Sequence, residues 1–65
     1  MEVKTWKART DKNLTLVELS KLTGISKTTL NDIENGKTSP TLRQLEYIAI
    51  ALNVRITDLF DSEYK

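Results

Sequence analysis

The chain has 65 residues, with 10 Lys and Arg against 9 Asp and Glu for a net charge of +1, and it contains neither cysteine nor histidine. Disulfide staples and thiolate chemistry are therefore excluded, the commonest general base and metal ligand is missing, and a single small core without catalytic or metal-ligating residues is expected. No apolar run approaches the roughly 20 residues of a membrane span, and Met1 to Lys4 lacks the apolar centre of a secretory signal, so the expectation is a cytoplasmic protein with no membrane association and no cofactor.

The first predicted helix runs from about Val3 to Lys12, a stretch without proline or glycine, with Val3, Thr5 and Ala8 as its inward positions. Its apolar stripe is thin. Trp6 stands alone among Lys and Arg. It is read as covering the core edge with its ring partly exposed, the alternative being an anchor at a subunit contact. Asn13 tolerates a left-handed backbone and serves as the stop.

The second helix opens at Thr15, because Thr15-Leu16-Val17-Glu18 has the form of a capping box in which threonine and glutamate satisfy each other's orphan amides. Leu14 can pack before the cap, and Leu19 and Thr23 share an inward face. Leu16 and Leu22 do not fit that face. Gly24 is placed where a helix end calls for positive φ, and Ile25 returns the chain to the core. Ser26 is an N-cap for a third helix ending near Glu34 or Asn35. Leu30 and Ile33 lie on one side of it; Lys27, Thr28, Asn31 and Asp32 lie on the other. Asn35-Gly36 ends it, and Pro40 keeps the following loop out of helix.

Thr41 to Gln44 repeats the capping box with glutamine in the reciprocal role. Leu42, Leu45, Ile48, Ala49 and Leu52 then recur at helical spacing as the inward face. Tyr47, Ile50 and Ala51 make this helix apolar on more than one side, so it is either covered all round or has a flank in a dimer interface. Asn53 stops it. Val54, Ile56, Leu59 and Phe60 describe a short fifth helix, and residues 61–65 read as a frayed polar tail. Beyond Arg43 only Arg55 and Lys65 oppose Glu46, Asp58, Asp61 and Glu63, so the front of the chain is positive and the tail negative.

Two helices joined by a short glycine-containing turn, with further apolar helices behind them, describe a helix-turn-helix. At these positions the chain resembles a family. Leu14-Thr15, Glu18-Leu19, Gly24-Ile25-Ser26, Leu30, Ile33-Glu34-Asn35-Gly36, Pro40, Leu42, Leu45, Ile48-Ala49, Leu52-Asn53-Val54 and Leu59-Phe60 are similar to phage repressor/Cro-type, XRE-like, transcriptional regulators. The resemblance spans roughly residues 3 to 60. It implies an all-α, five-helix lambda-repressor-like DNA-binding domain filling residues 1–65, with its helix-turn-helix at about 15–35.

In that family the second helix of the motif enters the major groove. Carried over by position, Lys27, Thr28 and Asp32 would touch bases, with Asn31 assisting. Lysine donates to guanine, threonine meets a thymine methyl, and aspartate accepts from cytosine N4. A carboxylate beside phosphates is repelled unless it finds that amine, so Asp32 is read equally well as a solvated residue. The resemblance places backbone contacts at Thr15, Ser26, Thr29, Asn35 and Lys37, with Thr38, Ser39 and Arg43 as neighbours. Relatives often carry glutamine at position 16. Leu16 would have to make that contact through its backbone amide, or meet a sugar or methyl with an exposed side chain.

The resemblance further pairs Arg9 with Glu34 in a partly buried ion pair, which makes Glu34 structural and not catalytic. Besides Leu16, three positions depart from the family: Thr5 stands where relatives carry a large aliphatic, Ala8 is small for its site, and Arg55 stands where a serine-like cap usually opens the last helix. The functional expectation is a sequence-specific regulator of transcription, a repressor acting as a homodimer on an inverted-repeat operator. The partners are double-stranded DNA and a second copy. The rival is a protein-interaction module on the same fold with an unidentified protein partner, favoured by the modest charge, by Asp32, and by an exposed Leu16, Leu22 and Trp6. An enzyme is not expected.

Overall fold

The computed structural model describes residues 1–65. A two-residue strand, β1 (Glu2–Val3), leads into α1 (Thr5–Asp11), α2 (Leu16–Thr23), α3 (Lys27–Glu34) and α4 (Leu42–Leu52). A 3₁₀ turn (Ile56–Asp58) and a second short strand, β2 (Phe60–Asp61), follow.

Local side-chain chemistry sets the helix boundaries. Thr15 Oγ1 accepts from the Glu18 amide at 3.1 Å while Glu18 Oε1 accepts from the Thr15 amide at 2.9 Å. Thr41 and Gln44 make the same reciprocal pair, both bonds at 3.0 Å. Each box satisfies donors that the helix start leaves without intrahelical partners. At the other ends, Gly24 (φ 75°), Asn13 (φ 59°) and Asn53 (φ 55°) take the left-handed conformation that reverses the chain. The Gly24 amide donates to Ser20 O, closing α2.

The core is one cluster: Leu19, Ile25, Leu30, Leu45, Ile48, Ala49, Leu52 and Leu59. Helix α4 supplies half of it through Leu45, Ile48, Ala49 and Leu52, and α2 and α3 pack against one another and α2 against α4. Fully burying a side chain such as Leu19 or Ile48 stabilises by about 1.5–3 kcal/mol. Leu42 does not belong to this face, contrary to the periodic reading. It is 75% exposed, because it opens α4 a turn before the inward stripe begins at Leu45. Tyr47 and Ile50 are also exposed, so α4 is not covered all round.

The five-helix expectation is corrected to four α-helices and a 3₁₀ turn. Two segments read as helical are strand instead. Val3 is not in α1; it pairs with Phe60, and Glu2 with Asp61, in an antiparallel two-stranded sheet. The Lys4 amide donates to Leu59 O at 2.7 Å and continues the ladder. At the tail, Val54 to Phe60 is too short and irregular in its apolar spacing for an α-helix. Leu59 is buried from a single 3₁₀ turn. Asp58 Oδ2 accepts from the Arg55 amide at 2.9 Å, so an acidic residue three positions on caps this turn where a serine is absent. Nor is the tail frayed throughout. Asp61 lies in β2, and Lys65 Nζ donates to Thr57 O and Phe60 O while sitting 5.6 Å from the Phe60 ring centre.

Candidate nucleic-acid interface

Helix α3 divides its residues by face. Leu30 and Ile33 are 1% exposed, whereas Lys27, Thr28 and Asn31 are open to solvent and Asp32 is half-buried. Ser26 Oγ accepts from the Thr29 amide at 3.1 Å and donates to Thr29 Oγ1 at 2.9 Å. The Thr29 hydroxyl is thereby engaged within the chain. The amides of Lys27 and Thr28, in the first turn of the helix, have no intrahelical acceptor and point out of its positive end. At the far end Asn35 Nδ2 reaches Asn31 Oδ1 at 3.3 Å, and the Asp32 carbonyl accepts from the Lys37 amide at 2.9 Å.

The angle between α2 and α3 is held by polar bonds inside the turn. Ser20 Oγ donates to Ile25 O at 2.6 Å, Thr23 Oγ1 donates to Leu19 O at 2.8 Å, and the Ile25 amide donates to Thr23 Oγ1 at 3.1 Å. Sequence reasoning took Thr23 only as an inward residue and assigned Ser20 no bond. Hydroxyl residues in the last turn of a helix before glycine were the available signal.

Arg9 ties three elements together. Its Nε and Nη2 donate to the two Glu34 carboxylate oxygens at 2.7 and 3.0 Å, and its Nη1 donates to Leu14 O at 2.7 Å. Both side chains are largely buried. The end of α3 is thus locked to α1, and α1 to the residue preceding the Thr15 cap. The Glu34 hydrogen bonds, reinforced by its charge and opposed by burial, raise the Arg9 pKa, so the guanidinium is charged at every ordinary pH. The fork geometry requires arginine; a lysine point charge cannot make the three bonds.

Other candidate residues fall as follows. Thr15, Ser26, Asn35, Lys37, Thr38, Ser39 and Arg43 are exposed, and Thr29 is half-buried. Contrary to the exposed side chain expected from its poor fit to the inward face, Leu16 is partly covered. It is half-buried against the core, and its amide lies in the first turn of α2, where helix amides have no intrahelical acceptor. Lys4 and Lys65 pair with Asp61, and Lys7 with Asp11, but Lys27, Lys37 and Arg43 make no ion pair within the chain. No three His, Cys, Asp or Glu side chains converge as a metal site, and no helix is long and apolar enough to cross a membrane.

Residues 7–59 match the family described as Helix-turn-helix. The chain belongs to the phage repressor/Cro-type, XRE-like, helix-turn-helix family. Members of this family are DNA-binding transcriptional regulators, and the fold is theirs. The helix-turn-helix chain is similar to the ImmF control region 10 kDa protein of Bacillus phage phi105, at 41% identity over 51 residues covering 78% of this chain. It spans 57% of that relative's length. Among solved structures it is similar to the N-terminal DNA-binding domain of SinR from Bacillus subtilis. The two superpose with a TM-score of 0.81 at 27% identity, over 94% of this chain and 90% of the other.

Proposed function

We propose that residues 1–65 form one helix-turn-helix module that binds double-stranded DNA sequence-specifically and regulates transcription as a repressor, a homodimer on an inverted-repeat operator. The observation that carries the reading is the division of α3. Its start offers Lys27, Thr28 and Asn31 to solvent, with two amides free, while Leu30 and Ile33 hold its back to the core. An α-helix fits the major groove in this pose, with residues of its N-terminal turn at base edges. Lys27 and Thr28 head the base-reading set, with Asn31 and Asp32 completing it. Thr15, Leu16 through its amide, Ser26, Thr29, Asn35 and Lys37 hold phosphates, flanked by Thr38, Ser39 and Arg43.

The unpaired Lys27, Lys37 and Arg43 support this use, because cations already neutralised by carboxylates release fewer DNA counterions. Similarity to a phage control-region protein and to a DNA-binding domain is in keeping with it. A module this small touches few base pairs, and a two-fold pair doubles the contact, with half-site centres about 34 Å apart. The surface read as the dimer contact is the depression beside α4 lined by Ala49, Ile50, Val54 and Ile56 with Glu46 and Asn53 at it, together with the exposed Tyr47 of the same helix. A protein that excludes polymerase from promoter DNA needs only the cytoplasm, DNA and its own copy.

Random-site selection followed by gel shift tests the proposal. Lys27→Ala is expected to relax base preference. Lys37→Ala weakens all sequences about equally and lowers the salt slope by about one. Absence of any duplex binding above background at low salt ends the reading. Recovery of one stoichiometric protein partner in its place favours an interaction module, for which the exposed Trp6 and Leu22 are the available surface.

A further inference from the structure

Helix α3 closes on an asparagine followed by glycine, Asn35-Gly36, and both residues are exposed. The other asparagines, Asn13, Asn31 and Asn53, precede Leu14, Asp32 and Val54. Those side chains crowd the next amide nitrogen. Gly36 has no Cβ, so its nitrogen is sterically open to the Asn35 carboxamide. In the folded chain the nitrogen is held away. The amides of Asn35, Gly36 and Lys37 donate to Asn31 O, Ile33 O and Asp32 O at 3.0, 3.2 and 2.9 Å. Asn35 also keeps ψ at 3°, with the Gly36 nitrogen out of line for its own Cγ. These bonds lie at a solvent-exposed helix end, where local opening costs least.

We propose that Asn35 is a site of spontaneous deamidation, gated by fraying of the α3 C-terminus, that places a negative charge on the DNA-facing loop. On opening, the Gly36 nitrogen gives up its proton to hydroxide and bonds to Asn35 Cγ. Nδ2 takes a proton from water, regenerating hydroxide; the Cγ–Nδ2 bond breaks, ammonia leaves, and a cyclic succinimide forms. Water then opens either imide C–N bond, giving aspartate or isoaspartate. No oxidant or cofactor enters.

The product acts on function in two ways. A carboxylate replaces a neutral amide where a phosphate is expected, at a helix C-terminus that already disfavours negative charge. Isoaspartate also inserts a methylene into the main chain immediately before Gly36, displacing the loop that carries Lys37. This consequence rests on the DNA-binding reading; the modification itself does not.

The test is to age the purified chain in mildly alkaline buffer, folded or in urea, and to map isoaspartate and the deamidation mass gain by peptide. Conversion is expected first at Asn35 in both, faster in urea, and abolished there in Asn35→Gln, whose longer side chain cyclises poorly. Conversion no faster at Asn35 than at Asn13, Asn31 or Asn53, or confined to the urea sample, overturns the site. In gel shift on random-sequence duplex at low salt, Asn35→Asp is expected to bind about tenfold more weakly than the unmodified chain. Equal binding overturns the functional consequence. Failure of the unmodified chain to bind overturns that consequence too, through the DNA reading, while the peptide map still decides the modification.

Discussion

At the scale of single residues, Thr5 and Glu34 are opposite cases of a buried polar group. Thr5 is 1% exposed and its hydroxyl has no hydrogen-bond partner. A buried hydroxyl without a partner forfeits its bonds to water and gains nothing in return. Thr5→Val keeps the shape and removes that loss, so it is expected to stabilise the fold by about 1 kcal/mol in urea unfolding. A destabilised variant would show that the hydroxyl has a partner. The Glu34 side chain is 5% exposed but bonded twice to Arg9. Glu34→Ala strands the guanidinium in its pocket, and the expected cost is about 3–5 kcal/mol. For a domain whose total stability is of that order, this change unfolds much of the population. Retention of the wild-type unfolding midpoint would rule out the ion pair as a structural tie.

Among the elements, α2 has a pH-dependent start. Glu18 has its pKa lowered from 4.5, first by accepting the Thr15 backbone amide, then by the Thr15 hydroxyl, and least by the charge of Lys21. A carboxylate depressed in the folded state stabilises above its unfolded pKa, and that stability is lost as pH falls through the lower folded value. The cap is therefore fully effective above about pH 5 and weakens below the ordinary carboxylate range. The α4 box is built with Gln44 and does not titrate. Glu18→Gln converts the first box into the form of the second. Its stability is expected to fall less steeply with acid than the parent's. Identical acid limbs in the two proteins would show that the Glu18 bond does not survive in solution.

For the molecule as a whole, α4 leaves a surface uncovered. Ile50 is 71% exposed and lines the Val54–Ile56 depression, and Tyr47, three residues earlier on α4, is 43% exposed. If this surface is the two-fold contact of the proposed dimer, Ile50→Glu weakens self-association by sedimentation or light scattering. The monomer should change in stability by no more than about 0.5 kcal/mol, because the side chain touches little of its own core. Unchanged association with a folded variant would move the contact elsewhere. The paired chain ends belong to the same scale. Strands β1 and β2 join the two ends of the sequence, and Lys4–Asp61 at 3.8 Å adds a screened ion pair to that seam.

Much of this protein is local, and what is local was readable. The two capping boxes, the Ser26 cap and the left-handed stops at Asn13, Gly24 and Asn53 each depend on side chains within four residues, so residue order alone placed the starts of α2, α3 and α4 and the stops of α1, α2 and α4. Helix α1, which has no side-chain cap, starts later than its pattern suggested. The exposed face of α3 followed from its 3.6-residue period. Arg9–Glu34 was reached through family resemblance, since nothing local to either residue announces the other. Only the tertiary structure decided the rest. Val3 became strand because Phe60 comes back beside it, and Leu59 is buried because a 3₁₀ turn suffices to carry it there. Leu16 was drawn half under the core, and Leu42 was left outside, by where neighbouring helices happen to end. Helix caps are satisfied within one turn of the chain. A strand, or a side chain at the margin of a core, is satisfied by whatever packing brings from far along it.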